Sequence, residues 1–287
     1  MKNNNTNSDE AINVYDRRNT QDWVFHFLSN NVEEFPRYIT GYDDIGKREP
    51  NDLIDDLLKR SELDSLYSRK NGIMINLEHQ SQYNNFKILR NTRYILELIE
   101  KGFTIEQWVV YTGKKDITGY YSNQDIFVKT HIIQSRRIES TKILNNIYFK
   151  IGNNTPLNAY DVLDVCSFPV INHGKSNEEV VDIILDITRK CKTKPSLLNI
   201  LTTCVAAWTA YLLDDGKKIN EICGEVKMMA KIGFKEMWEH IEQERYRKII
   251  KNKDKEISNM KEELDHLHQI LLQYAPEDVI KKYENSK

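Results

Sequence analysis

The chain has 287 residues, enough for one large domain or two ordinary ones. Its 41 Lys and Arg stand against 43 Asp and Glu, a formal charge of −2, so contact with phosphates has to come from a local patch. Charged residues at 29% and a mean hydropathy of −0.61 exclude a mostly membrane-embedded chain, and 10% aromatics with only 11 Gly and 6 Pro argue against disorder.

Residues 1–19 are rich in Asn, Asp and Ser, with few large apolar side chains to offset the entropy of ordering them, and are expected to form a loose tail. No apolar run follows Lys2, so no secretory signal is expected and the cytoplasm is the expected location. Cys166, Cys191, Cys204 and Cys223 include no close pair, which fits free thiols rather than a zinc ribbon or a redox pair.

From Thr20, a candidate N-cap, Trp23, Phe27, Phe35 and Ile39 predict an amphipathic first helix reaching toward Pro36. Leu66-Tyr67 and Ile73 to Leu77 then read as two strands joined through Lys70-Asn71-Gly72, with Gly72 where a three-residue hairpin loop turns left-handed. In that register paired residue numbers sum to 142: Ser68 faces Met74, Leu66 faces Asn76 and Asp64 faces Glu78, with Gln80 on the face of Glu78. Phe86, Leu89, Ile95, Leu96 and Ile99 recur at helical spacing, with Lys87, Arg90, Tyr94 and Lys101 on another stripe and Gly102 as the stop. Trp108 to Tyr111, ended by Thr112-Gly113, predicts a further buried strand and closes an α/β core over residues 20–115.

Residues 116–235 are expected to be a helical region packed on the core, clearest at Leu157–Val165, Val180–Ile187 and Leu197–Leu213. The uncharged run from Ser196 to Leu213 only just reaches the length of a bilayer span and is interrupted by Asn199, Thr202, Thr203 and Thr209, so it reads as a buried core helix, with no membrane partner expected. Residues 236–287 read as a long C-terminal helix. Ile257, Leu264 and Leu271 repeat every seven residues, and so do Met260, Leu267 and Tyr274. That heptad seam, with Lys253 out of pattern, suits a homodimer through residues 250–274 and equally a long surface helix.

Asp64, Glu78 and Gln80 fall on one face of the small sheet, the two carboxylates about 5 Å apart at Cβ. Spacing alone leaves two readings open: a solvated polar face, or a site where a hard divalent cation relieves the repulsion between the carboxylates. Asp64, Glu78-His79-Gln80-Ser81 fourteen residues on, then Arg90, Arg93-Tyr94 and the strand at Trp108 to Tyr111 resemble the recombination-promoting nuclease and transposase-like (Rpn) branch of the PD-(D/E)XK superfamily. Asp22-Trp23-Val24-Phe25 is similar to the start of that family's first helix, and Pro156 to Pro169 to its helical middle segment.

The resemblance implies a restriction-endonuclease-like αβββαβ core, followed by a helical region and a coiled-coil-like helix, that cleaves DNA phosphodiesters in recombination or on mobile DNA. It implies Mg²⁺ or Mn²⁺ held by Asp64, Glu78 and the backbone carbonyl of His79, with Asp64, Glu78 and Gln80 as catalytic residues. Gln80 stands where the superfamily more often has lysine; an amide can orient water but can neither carry charge nor exchange a proton near neutral pH. Lys87 and Arg90 are the candidate DNA contacts, against a solvated helix face. Asp22 is read either as a carboxylate at a helix N-terminus or as an outlying acidic group of the site. No His is assigned to a metal, and no Gly-rich phosphate loop or nucleophile elbow occurs. The alternative is a catalytically weak or inactive nuclease-fold protein that dimerises or recruits partners through its C-terminal helix.

Overall fold

The computed structural model describes residues 20–49, 65–82, 95, 96, 98–117, 120–122, 127–230 and 235–274. Helix α1 covers Thr20–Asn31 and α2 covers Phe35–Thr40. Trp23 to Ile39 therefore form two helices rather than one. Pro36 lies in the first turn of α2, where its missing N–H leaves no intrahelical bond unmade.

Strands β1 (Ile45–Arg48), β2 (Ser65–Arg69), β3 (Ile73–Gln80), β4 (Thr104–Tyr111) and β7 (His131–Gln134) form a five-stranded sheet in the order β1-β2-β3-β4-β7. The first three are antiparallel neighbours, while β3, β4 and β7 are mutually parallel, so the sheet is mixed and the fold is α/β. The β2–β3 hairpin keeps the expected register, with Ser68 opposite Met74, Leu66 opposite Asn76 and Gly72 at φ 82°. Residues 95, 96 and 98–100 are helical in the crossover from β3 to β4, and the positive φ of Gly102 ends the turn, with its N–H donating to Ile99 O. The sheet continues past residue 115, where the core had been expected to end. β7 extends it, and the short strands β5 (Tyr120–Ser122) and β6 (Phe127–Lys129) pair with each other in the connection from β4.

Six helices follow: α3 (Ser140–Gly152), α4 (Ala159–Ser167), α5 (Asn177–Lys190), α6 (Pro195–Leu212), α7 (Gly216–Met229) and α8 (Lys235–Tyr274). Capping boxes start two of them, Asn158 with Asp161 at α4 and Ser176 with Glu179 at α5. α6 is the centre of the region, packed by α1, α4, α5, α7 and α8. By length and composition it could cross a bilayer, but 67% of it is buried inside the chain. Its buried threonines are satisfied within the helix: Thr202 donates to Leu198 O at 2.9 Å, Thr203 to Asn199 O at 2.7 Å and Thr209 to Val205 O at 2.8 Å. Trp208, buried on the same helix, donates Nε1–H to Cys166 O at 2.8 Å.

The sheet's two faces are packed differently. Tyr67, Ile75 and Leu77 join the main core with Val24, Phe25 and Leu28 of α1 and the helices behind it. The Tyr67 hydroxyl donates to Ser29 O at 3.1 Å, tying β2 to α1. The other face is covered near its start by Leu98 and Phe103 against Leu66, Met74 and Ile105, and further along Val109, Tyr111 and Ile117 form a third cluster.

Candidate functional site

Side chains alternate across β3, and Asn76, Glu78 and Gln80 fall together on the face away from α1, at 0%, 2% and 3% exposure. Parallel pairing sets Gln107 of β4 beside Asn76. Asn76 Nδ2 donates to Gln107 Oε1 at 2.7 Å and to Glu78 Oε1 at 3.2 Å, while Gln107 Nε2 donates to Trp108 O at 3.3 Å. The Glu78 carboxylate is thus steadied by an amide that a neighbouring strand holds in place. Asn76 Oδ1 is a buried acceptor without a hydrogen-bond partner, an unusual cost that a ligand or water would relieve.

Asp64, expected from the sequence to face Glu78, lies outside the described residues, as do Lys87, Arg90, Arg93 and Tyr94. Among the described residues no group of three or more His, Cys, Asp or Glu side chains comes together. The oxygen donors present nonetheless fit a hard cation, because a buried carboxylate and an unpartnered amide oxygen on one strand face are the ligand types Mg²⁺ and Mn²⁺ take.

The His79 side chain points to the opposite face, into the α1 side of the sheet. Its Nδ1 meets the Asp22 carboxylate, and its Nε2 lies 3.0 Å from the Thr112 hydroxyl, which donates to Gln21 Oε1 at 2.7 Å. The ring packs on Phe25 with centroids 5.3 Å apart. Asp22 therefore sits in the first turn of α1 and anchors that helix to the motif strand, on the face opposite Glu78. Sequence reasoning missed this pairing because 57 residues separate the two groups and nothing in either segment names the other as its partner. A mainly apolar cavity lined by Phe25, Leu28, Phe35, Thr112 and Trp208 adjoins the His79 ring.

In the parallel register Gln80 pairs with Tyr111 and Tyr111 with Gln134, so β3, β4 and β7 end at one edge of the sheet. Basic residues follow the second and third of these ends: exposed Lys114 and Lys115 after β4, and Arg136 and Arg137 after β7. Arg136 Nη1 donates to Lys114 O at 2.9 Å, and both arginines pair with Asp116, whose carboxyl the Arg136 hydrogen bond holds below its usual range. This cluster went unread in the sequence because the two dipeptides are distant along the chain and only parallel pairing brings them to one edge. The opposite end of the sheet is closed by ion pairs and stacking: Arg69 bonds Asp44 at 3.0 Å and Glu106 at 3.4 Å and lies 3.8 Å over the Tyr42 ring.

No family model, no curated protein and no solved structure matches the chain.

Proposed function

We propose that the protein is a metal-dependent DNA endonuclease of the Rpn-like, PD-(D/E)XK type, acting in recombination or on mobile DNA. The observation that carries this reading is the buried Asn76, Glu78 and Gln80 face at the edge where three parallel strands end beside Lys114, Lys115, Arg136 and Arg137. The order of helix, three strands, crossover helix and strand supports it, with α2 and β7 as additions to the αβββαβ plan.

Glu78, together with Asp64, would hold Mg²⁺ or Mn²⁺. The ion, when bound, polarises the scissile phosphate and makes attack by water easier. Asn76 fixes the orientation of the Glu78 carboxylate through its hydrogen bond, and Gln107 fixes Asn76. Gln80 can donate its amide to a phosphate oxygen or orient water but supplies neither charge nor a proton, so the chemistry is expected to be slow for a nuclease. The basic cluster at the strand ends lowers the cost of bringing a phosphate backbone to an acidic site.

That amide in place of a lysine also favours a second reading, a catalytically weak nuclease-fold scaffold that acts by recruiting partners. Incubation of the full chain with supercoiled plasmid and Mg²⁺ at low salt separates the two. Nicking that disappears without the metal and falls about 10²- to 10³-fold in Glu78→Gln, which keeps side-chain size while removing the charge, supports the nuclease. No nicking, or nicking unchanged in Glu78→Gln, leaves the scaffold reading.

A further inference from the structure

The C-terminal half of α8 carries an apolar stripe that is largely exposed among the described residues. Ile257, Met260, Leu264 and Leu267 are 50%, 68%, 68% and 57% exposed, and they alternate by three and four residues along one continuous helix. Large apolar side chains at that spacing are the seam of a coiled coil, and a helix carrying such a seam in water is missing its partner.

We propose that residues 250–274 form a parallel, in-register, two-stranded coiled coil with a second copy of this chain. The occupant is argued from the charges flanking the stripe. With Ile257 and Leu264 at a and Met260 and Leu267 at d, Glu256 and Glu263 occupy g, while Asp254, Lys261 and His268 occupy e. A parallel, in-register pair sets each g residue beside the e residue five positions on in the other strand, so Glu256 meets the Lys261 of the second copy and Glu263 its His268. An antiparallel pair sets g against g and brings the glutamates of the two strands together, which costs energy. The helix is therefore complementary to itself in one direction.

Lys253, exposed at a d position, fits the same arrangement. Its stem can lie along the seam with the ammonium turned outward toward the Asp254 of the second copy, and a single polar residue in a seam fixes register at some cost in stability. A parallel coil also places both α/β cores at the same end of the stalk. The inference does not depend on any cleavage activity.

The mass of the full chain in solution, followed over concentration by sedimentation, tests it. Twice the chain mass is expected, with Ile257→Glu combined with Leu264→Glu giving the mass of one chain. Both positions are exposed, so an unchanged melting curve of the α/β and helical regions accompanies that loss. Glu256→Lys and Lys261→Glu, each alone, should weaken dimerisation about tenfold by placing two like-charge pairs in the coil. An equimolar mixture of these two variants should recover the wild-type affinity, because each mixed dimer restores both opposite-charge pairs. A wild-type chain that stays a monomer, a dimer indifferent to Ile257→Glu combined with Leu264→Glu, or a mixture no tighter than either charge variant would each overturn the proposal.

Discussion

Glu78, which is buried, and Asp164, which is half-buried, are carboxylates held by different partners. Glu78 accepts from the Asn76 amide, which is itself held by the Gln107 amide. Asp164 accepts the Tyr38 hydroxyl at 2.8 Å, yet burial, helped by the nearby Asp161, pushes its carboxyl above the ordinary value near 3.8. The same burial drives the Tyr38 phenol upward, so it stays a neutral donor. The fold thus favours the protonated form of Asp164, and the stability it contributes is full below pH 3.8 and lost as the pH rises through the elevated value. Asp164→Asn mimics the protonated acid and leaves an oxygen for Tyr38. It should raise the melting temperature at pH 7 and give no rise at pH 3, a comparison that thermal melts at the two pH values make directly.

At the scale of elements, legibility followed the range of the interaction. The β2–β3 register was readable because Gly72 falls where the loop needs positive φ, and one such residue fixes every pair along the ladder. The alternation that follows from it put Glu78 and Gln80 on one face. β1 escaped notice because Ile45-Gly46-Lys47-Arg48 offers a single large apolar side chain, and β7 because four residues are too few to show a period. Both gain their stability from long-range pairing with an existing sheet, which local pattern does not record. The break at Pro36 was visible as a disturbance but not as a second helix.

Gly113 is a further position set by distant contact. A Cβ there would sit 2.7 Å from Ser81 O and closer still to the Tyr111 hydroxyl, at the edge where β3 leaves Gln80. Gly113→Ala should force these groups apart and cost about 1–3 kcal/mol, measured by denaturant unfolding, with most of the movement at the ends of β3 and β4.

For the whole molecule, a formal charge of −2 distributes unevenly. Cations gather after β4 and β7, two of them paired with Asp116, while the opposite sheet end ties Arg69 to Asp44 and Glu106. The helical region is built around α6 and meets the sheet through α1, so the motif strand is gripped by His79 and Asp22 from one side and carries its polar face on the other. Parallel strand order, and no single stretch of sequence, is what brings these cations to one end of the sheet.

The proposed phosphodiester cleavage depends on a divalent cation held by Glu78. Crystals of the full chain soaked in Mn²⁺ and measured for anomalous scattering test it most directly, since Mn²⁺ takes the same oxygen ligands as Mg²⁺ and is visible by its own signal. One strong peak is expected within about 2.0–2.2 Å of a Glu78 carboxylate oxygen, shared with Asp64 and absent in Glu78→Gln. A well-ordered Glu78 with no peak beside it, or a peak that survives Glu78→Gln, would contradict it.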